Sequence, residues 1–254
     1  MKQYTTIKLT EQDAIANVNL LWPDSSRLNL ALLSDLIELM DYLEDESACT
    51  LIVFQGLSTQ QQSLNPTPPD IDHCSKWEKF LVRLERLAGA SIACIDGFCT
   101  RFHFQLALAC DYRVATTRSV FQAPEVKEGY LPGMSVFRLA KYTGIGHARR
   151  LLFTGAQWSA AEAAGFGIVD RQCEATTFEK AIQESQEALM PIHPKVLQNT
   201  RRLLNESFAT SYEDAIGHFL AVQNLCLVDT PRPEGAGILG STTRLAQSNR
   251  SQKE

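Results

Sequence analysis

Hydrophobic and polar positions alternate at the start of the chain. Residues 4–9 (YTTIKL) and 14–20 (AIANVNL) carry the period-two pattern of half-buried strands on either side of the polar TEQD, which predicts a hairpin. From Asn29 the period lengthens. Leu33, Leu36, Ile37, Met40 and Leu43 fall on one helical face, and the run LIVF (51–54) then predicts a short buried strand. The segment 57–74, with its glutamines and prolines, has no period and reads as a long loop, either functional or a disordered excursion. Ser75 and Glu78 have capping-box spacing, opening a helix with Trp77, Phe80, Leu81, Leu84 and Leu87 on one face. SIACI (91–95) follows as a buried strand, and IDGFCTRFHFQLALACDYRVA (95–115) reads as a strand end, a turn, an almost wholly apolar helix and a further strand at 111–115. Short helices are expected at 135–142 and 147–153, and a second capping box joins Ser159 to Glu162 in a helix ending at Gly165.

Beyond Thr177 the strands stop. Phe178, Ile182 and Leu189 form one helical stripe, Pro191 and Pro194 interrupt it, and Ala215, Ile216, Phe219, Val222 and Cys226 form another. Strands alternating with helices over two thirds of the chain define an α/β core, here 1–190, followed by a helical region at 191–254 whose polar last residues are expected to fray.

Composition narrows the choice of function. A length of 254 residues with 44% hydrophobic and 21% charged content suits one large core, or one core with a small satellite. The net charge of -5, with Lys and Arg scattered, offers no basic stripe for nucleic acid. Seven cysteines, odd in number and without a CxxC pair, read as reduced thiols in a cytoplasmic protein. The first residues lack a signal-peptide core, and no apolar run approaches the ~20 residues of a membrane span. His73, His103, His147, His193 and His218 show no HExxH or i, i+4 spacing, so no metal site is expected, and neither a GxSxG elbow nor a GxxxxGK[ST] loop is present.

The candidate chemistry lies at strand-to-helix turns. The mouth of the buried helix, residues 98–103, presents first-turn N–H groups suited to a developing oxyanion. Glu125, set among Phe121, Pro124 and Val126, would be partly desolvated and thereby suited to proton transfer, although a solvated loop charge is the simpler reading from composition alone.

Three consecutive blocks, IDGFCTRFHFQLALACDYRVA, FQAPEVKEGYLPG and ARRLLFTGAQWSAAEAAGFGIVD, resemble the signature blocks of the crotonase family, the enoyl-CoA hydratases and isomerases. Spacing agrees without gaps from Ile95 through Gly133, and DTPRPEGA near the C-terminus is similar to the family's acidic-to-glycine segment. The resemblance implies a spiral of repeated β-β-α units followed by a helical trimerisation region, assembled as a homotrimer or hexamer. It implies an acyl thioester substrate on coenzyme A or a carrier protein, no further cofactor, and an enolate held by two backbone N–H groups. Those donors map onto Phe102, where the family usually has glycine, and onto Thr67, placed by using Asp70-Ile71 as an anchor. Of the two glutamates that grip water in typical hydratases, the first position is Gln105 and the second Glu125.

An amide holds water but does not take its proton at neutral pH, so a single base at Glu125 favours moving a double bond. The alternatives are a hydratase or dehydratase in which Gln105 positions water, and a helper subunit that has lost its chemistry. His103 could supply a second acid–base group or simply be hydrogen-bonded locally. Arg101 could clamp a substrate carboxylate or phosphate, or be a surface arginine at a turn. Pro132 and Gly133 are placed by the same resemblance against the substrate. The run YLPGMSVFRLAKYTG (130–144) is similar to crotonase-like accessory enzymes of dihydroxyphenylglycine and related polyketide or nonribosomal peptide pathways, which points towards secondary metabolism.

Overall fold

A computed structural model describes residues 4–22, 27–59 and 68–229. Thr67, and the part of the DTPRPEGA block beyond Asp229, lie outside the described residues.

The predicted hairpin forms from β1 (Ile7–Gln12) and β2 (Ile15–Leu20), which pair antiparallel with Ile7 opposite Leu20. Helix α1 (Leu30–Asp45) is capped by Asn29, whose side chain accepts from the Leu32 amide. Leu32, Leu33, Leu36, Leu39 and Met40 are all fully buried beneath it. Each such side chain contributes on the order of 1.5–3 kcal/mol of transfer free energy, so the stripe fixes this helix to the sheet more firmly than its cap does. β3 (Leu51–Gln55) follows, then α2 (Ile71–Arg86).

Helix α2 begins a turn earlier than the expected capping box. Asp70 is its N-cap and accepts from the His73 amide, while Glu78, the expected partner of Ser75, accepts from the Met134 amide at 2.8 Å and from Arg138 at 3.0 Å. An acidic side chain at the true N-cap outcompetes the later serine because the N–H groups it satisfies are those left open by the first turn.

The grammar then becomes regular. β4 (Ala90–Ile95), β5 (Phe98–Thr100) and α3 (Arg101–Ala109) are followed by β6 (Tyr112–Thr116), β7 (Val120–Gln122) and α4 (Ser135–Thr154). Each of these β-β-α units puts its first strand in one sheet and its second in another. Together with β8 (Gln157–Ser159) and β9 (Arg171–Cys173), the described strands form a six-stranded sheet of order β1-β2-β3-β4-β6-β9 and a three-stranded sheet of order β5-β7-β8. Helix α4 is interrupted at Gly144, whose φ of 71° leaves the helical region and separates the two segments anticipated from the sequence. Helix α5 (Ala160–Gly165) carries the expected capping box between Ser159 and Glu162.

Helices α6 (Phe178–Leu189), α7 (Pro194–Glu206) and α8 (Tyr212–Asp229) complete the described chain. The chain divides into two compact units between Ala209 and Thr210. Pro194 starts α7 instead of ending the body, as proline does at a first helical turn. Arg201 on α7 ties that helix to the core by bonding both Asp111 oxygens, at 2.6 and 2.7 Å, and the carbonyls of Leu87 and Gly89. Among the described residues, no helix is long and apolar enough to cross a membrane.

Candidate active site

The parallel pairing of β5 with β7 builds the site. Thr100 lies beside Gln122, so both strands deliver the chain at the same end of the small sheet. From one exit α3 begins; from the other comes Ala123-Pro124-Glu125, which closes a helical turn as Glu128 and Tyr130 donate backbone N–H to the Glu125 carbonyl at 3.0 and 3.1 Å. Residues twenty apart in sequence thereby meet: the Gln105 side-chain amide donates to Glu125 Oε1 at 3.4 Å.

Glu125 is only 1% exposed, which overturns the reading of a solvated loop charge. Its second oxygen, Oε2, is buried without a hydrogen-bond partner among the described residues. Burial pushes the carboxyl up to about 7, against the opposing pull of backbone and Gln105 N–H groups and the Arg101 charge. A carboxyl poised there takes and returns a proton near neutrality with similar ease.

Gln105 is also 1% exposed, and its Oε1 accepts from the indole N–H of Trp77 at 2.9 Å. Phe102 occupies the second position of α3, so its amide is one of the first-turn donors that a helix leaves without an intrahelical acceptor. The Phe102 ring packs edge-on to Trp77 with centroids 5.6 Å apart and lies 6.2 Å from Trp22. Aromatic surface thus lines the mouth of α3.

Arg101 adopts a left-handed φ of 52°, a conformation that costs a non-glycine residue on the order of 1 kcal/mol. At 4% exposure it is no surface arginine. Its guanidinium is ion-paired with Glu128, which also accepts from the Tyr130 hydroxyl at 3.2 Å. The clamp expected for a substrate anion therefore already holds a carboxylate of the protein.

His103 is fully buried, its ring edge-on to Trp22 and its Nε2 3.0 Å from the Trp22 carbonyl. With a carbonyl as partner, Nε2 must carry the proton, so the histidine makes a structural bond, not a local one as expected at a helix start but to a residue 81 positions earlier. Pro132 is buried, and Gly133 (φ 52°) lies so close to the site that an added Cβ would come within 2.7 Å of Gln105 Oε1 and 2.8 Å of Glu78 Oε1. Gly133 thus backs the Gln105 amide.

Trp77 and Trp22 were not expected at the site. Trp77 reads as one member of a core stripe, but a buried indole usually places its N–H on a partner, and that was the available signal. Among the described residues no cluster of His, Cys, Asp and Glu could hold a metal.

The model for the enoyl-CoA hydratase/isomerase family matches residues 10–225, and the chain belongs to that family. It is 34% identical over 127 residues to the enoyl-CoA isomerase/hydratase fer4 of Mycosarcoma maydis, covering 49% of this chain and 46% of that protein. The chain thus matches about half the length of that relative. An enoyl-CoA hydratase of Amycolatopsis orientalis is 31% identical over 153 residues, or 60% of this chain and 70% of that one. The crystal structure of enoyl-CoA hydratase from Mycobacterium smegmatis superposes with a TM-score of 0.79 at 19% identity, covering 89% of this chain and 92% of that one. This likeness establishes the crotonase-like α/β fold anticipated from the signature blocks.

Proposed function

We propose that the protein shifts a double bond in an enoyl thioester, with Glu125 as its single acid–base group. The observation that carries this reading is the pairing of one buried carboxyl oxygen, without a hydrogen-bond partner among the described residues, with a neutral amide where a second acid would be needed to add water. Glu125 Oε2 takes a proton from C2 of a 3-enoyl thioester, and the electron pair left behind spreads through the C3–C4 double bond and onto the carbonyl oxygen. The Phe102 amide, with a second donor expected at Thr67, holds that dienolate oxygen. The same carboxyl returns its proton to C4, leaving the double bond between C2 and C3.

Coenzyme A is the carrier in this reading, supported by the names of the matching relatives. The trimeric assembly expected of the family, and a cytoplasmic setting suited to seven cysteines that form no disulfide, belong to the same proposal.

The test is solvent deuterium exchange at C2 of a bound acyl-CoA, followed by proton NMR in D2O. Glu125→Gln should lower the rate by about 10²–10⁴-fold while circular dichroism stays unchanged. Exchange continuing at the wild-type rate would place the base elsewhere.

A further inference from the structure

We propose that Trp77 is a positioning residue for the acid–base pair: its indole N–H fixes the Gln105 amide so that nitrogen, and not oxygen, faces Glu125. A glutamine amide presents two nearly isosteric ends, one that donates and one that accepts. Left free, it would turn either end to a neighbouring carboxyl according to that group's protonation. Trp77 removes the choice, because an indole nitrogen only donates. At 2.9 Å it must meet Gln105 Oε1, and the Nε2 donors are thereby directed at Glu125 Oε1.

The backing is specific to this arrangement. Trp77 is 1% exposed, fixed between Trp22, Phe80 and Phe102 at centroid distances of 5.8, 5.5 and 5.6 Å. On the oxygen side, Gly133 leaves no room for a side chain, and Glu78, next in sequence to Trp77, anchors the Gly133 loop through the Met134 amide. Gln105 therefore acts as a permanent donor. It favours the ionised form of Glu125 and confines the proton traffic to Oε2.

This role rests on the isomerase reading only for its catalytic consequence; the fixed amide stands or falls independently. The charged and titratable groups around Glu125 are Arg101 on α3, Glu128 and Tyr130 on the following turn, and, behind Gln105, Glu78 of α2 with its partner Arg138 of α4. None is altered by Trp77→Phe, which keeps an aromatic ring and deletes the donor.

The experiment is a pH titration of the Glu125 carboxyl by ¹³C NMR in the full-length protein, assigned with Glu125→Gln. In Trp77→Phe the midpoint should rise by about one pH unit, and C2 exchange at a pH well below it should fall about tenfold. An unmoved midpoint overturns the proposal. A moved midpoint in a protein whose wild type exchanges no C2 hydrogen keeps the positioning role and removes the isomerase reading.

Should Trp77→Phe fail to fold, Gln105→Met gives the complementary readout. The Trp77 indole proton should shift upfield and exchange faster with D2O, and an unchanged indole signal overturns the assignment.

Discussion

Two carboxyl groups buried in the same body illustrate opposite uses of burial. Asp35 on α1 is 9% exposed, and a single oxygen of it accepts four hydrogen bonds, from the backbone N–H and hydroxyl groups of Thr5 and Thr6, at 2.7 to 3.1 Å. Burial pushes its titration upward, but those four donors win and hold the carboxyl below its ordinary range. Glu125 meets fewer and weaker donors, a backbone N–H and the Gln105 amide at 3.4 Å, and its Oε2 has no partner among the described residues, so burial wins and the carboxyl rises to about 7. The balance between burial and donors thus sends two buried carboxyls in opposite directions.

The largest change should come from altering the neighbour that distinguishes the two. Gln105→Glu replaces the side-chain donor facing Glu125 with a second carboxyl. Two like charges at this separation do not both ionise easily, so the pair should titrate in two well-separated steps, the upper above about 7. The variant also gains the second proton-transfer group that water addition requires. Hydration of a 2-enoyl-CoA, followed by loss of its absorbance, should rise by about 10²-fold or more over wild type. Equal rates in the two proteins would mean that Gln105 is not what withholds hydration.

The anchoring carboxyl should behave in the reverse way. Asp35→Asn removes the charge that four donors converge on and should cost about 2–4 kcal/mol at pH 7 by urea denaturation, with C2 exchange in the folded fraction unchanged. Because the folded-state value of Asp35 is depressed, its contribution is present above the ordinary aspartate range and is lost as pH falls through the lowered value. The gap between variant and wild type should therefore close in acid. A constant gap would show that packing, and not charge, is what the substitution disturbs.

These contrasts were only partly legible in the chain. Helix α1 and strands β3 and β4 were, because they bury long apolar patterns whose period survives in the sequence. Strands β5, β7, β8 and β9 span three residues each, too few to display any period, and they exist because pairing with neighbours far along the chain, parallel for β5 with β7 and β6 with β9 and antiparallel for β7 with β8, supplies their hydrogen bonds. The site followed the same division. Glu125 and Gln105 could be named from residue type and spacing, whereas the Arg101–Glu128 pair, 27 residues apart, is created by the side-by-side exits of β5 and β7. Trp77 was hidden for another reason: on a helical face its apolar ring accounts fully for its presence, and nothing local marks where its single polar atom points. Likewise Asp35 interrupts an apolar stripe, and its donors lie outside the helix, just before β1.

The smallest expected effect follows from the same buried carboxyl. The folded-state value of Glu125, about 7, lies above the ordinary 4.5, so between those pH values the folded protein binds more protons than the unfolded chain. The stability linked to this group is present below about 4.5 and is lost as pH rises through 7. Glu125→Gln keeps the shape but carries no charge at any pH. Relative to wild type, the variant should gain about 1–3 kcal/mol in unfolding free energy between pH 4.5 and pH 8, read from paired urea melts in which all other titrations cancel. Parallel curves for the two proteins would mean that the carboxyl ionises at its ordinary pH despite its burial. A converging pair, with the variant overtaking as the solution turns alkaline, would show the inactive protein to be the more stable one, as expected where a site is kept short of donors for the sake of its chemistry.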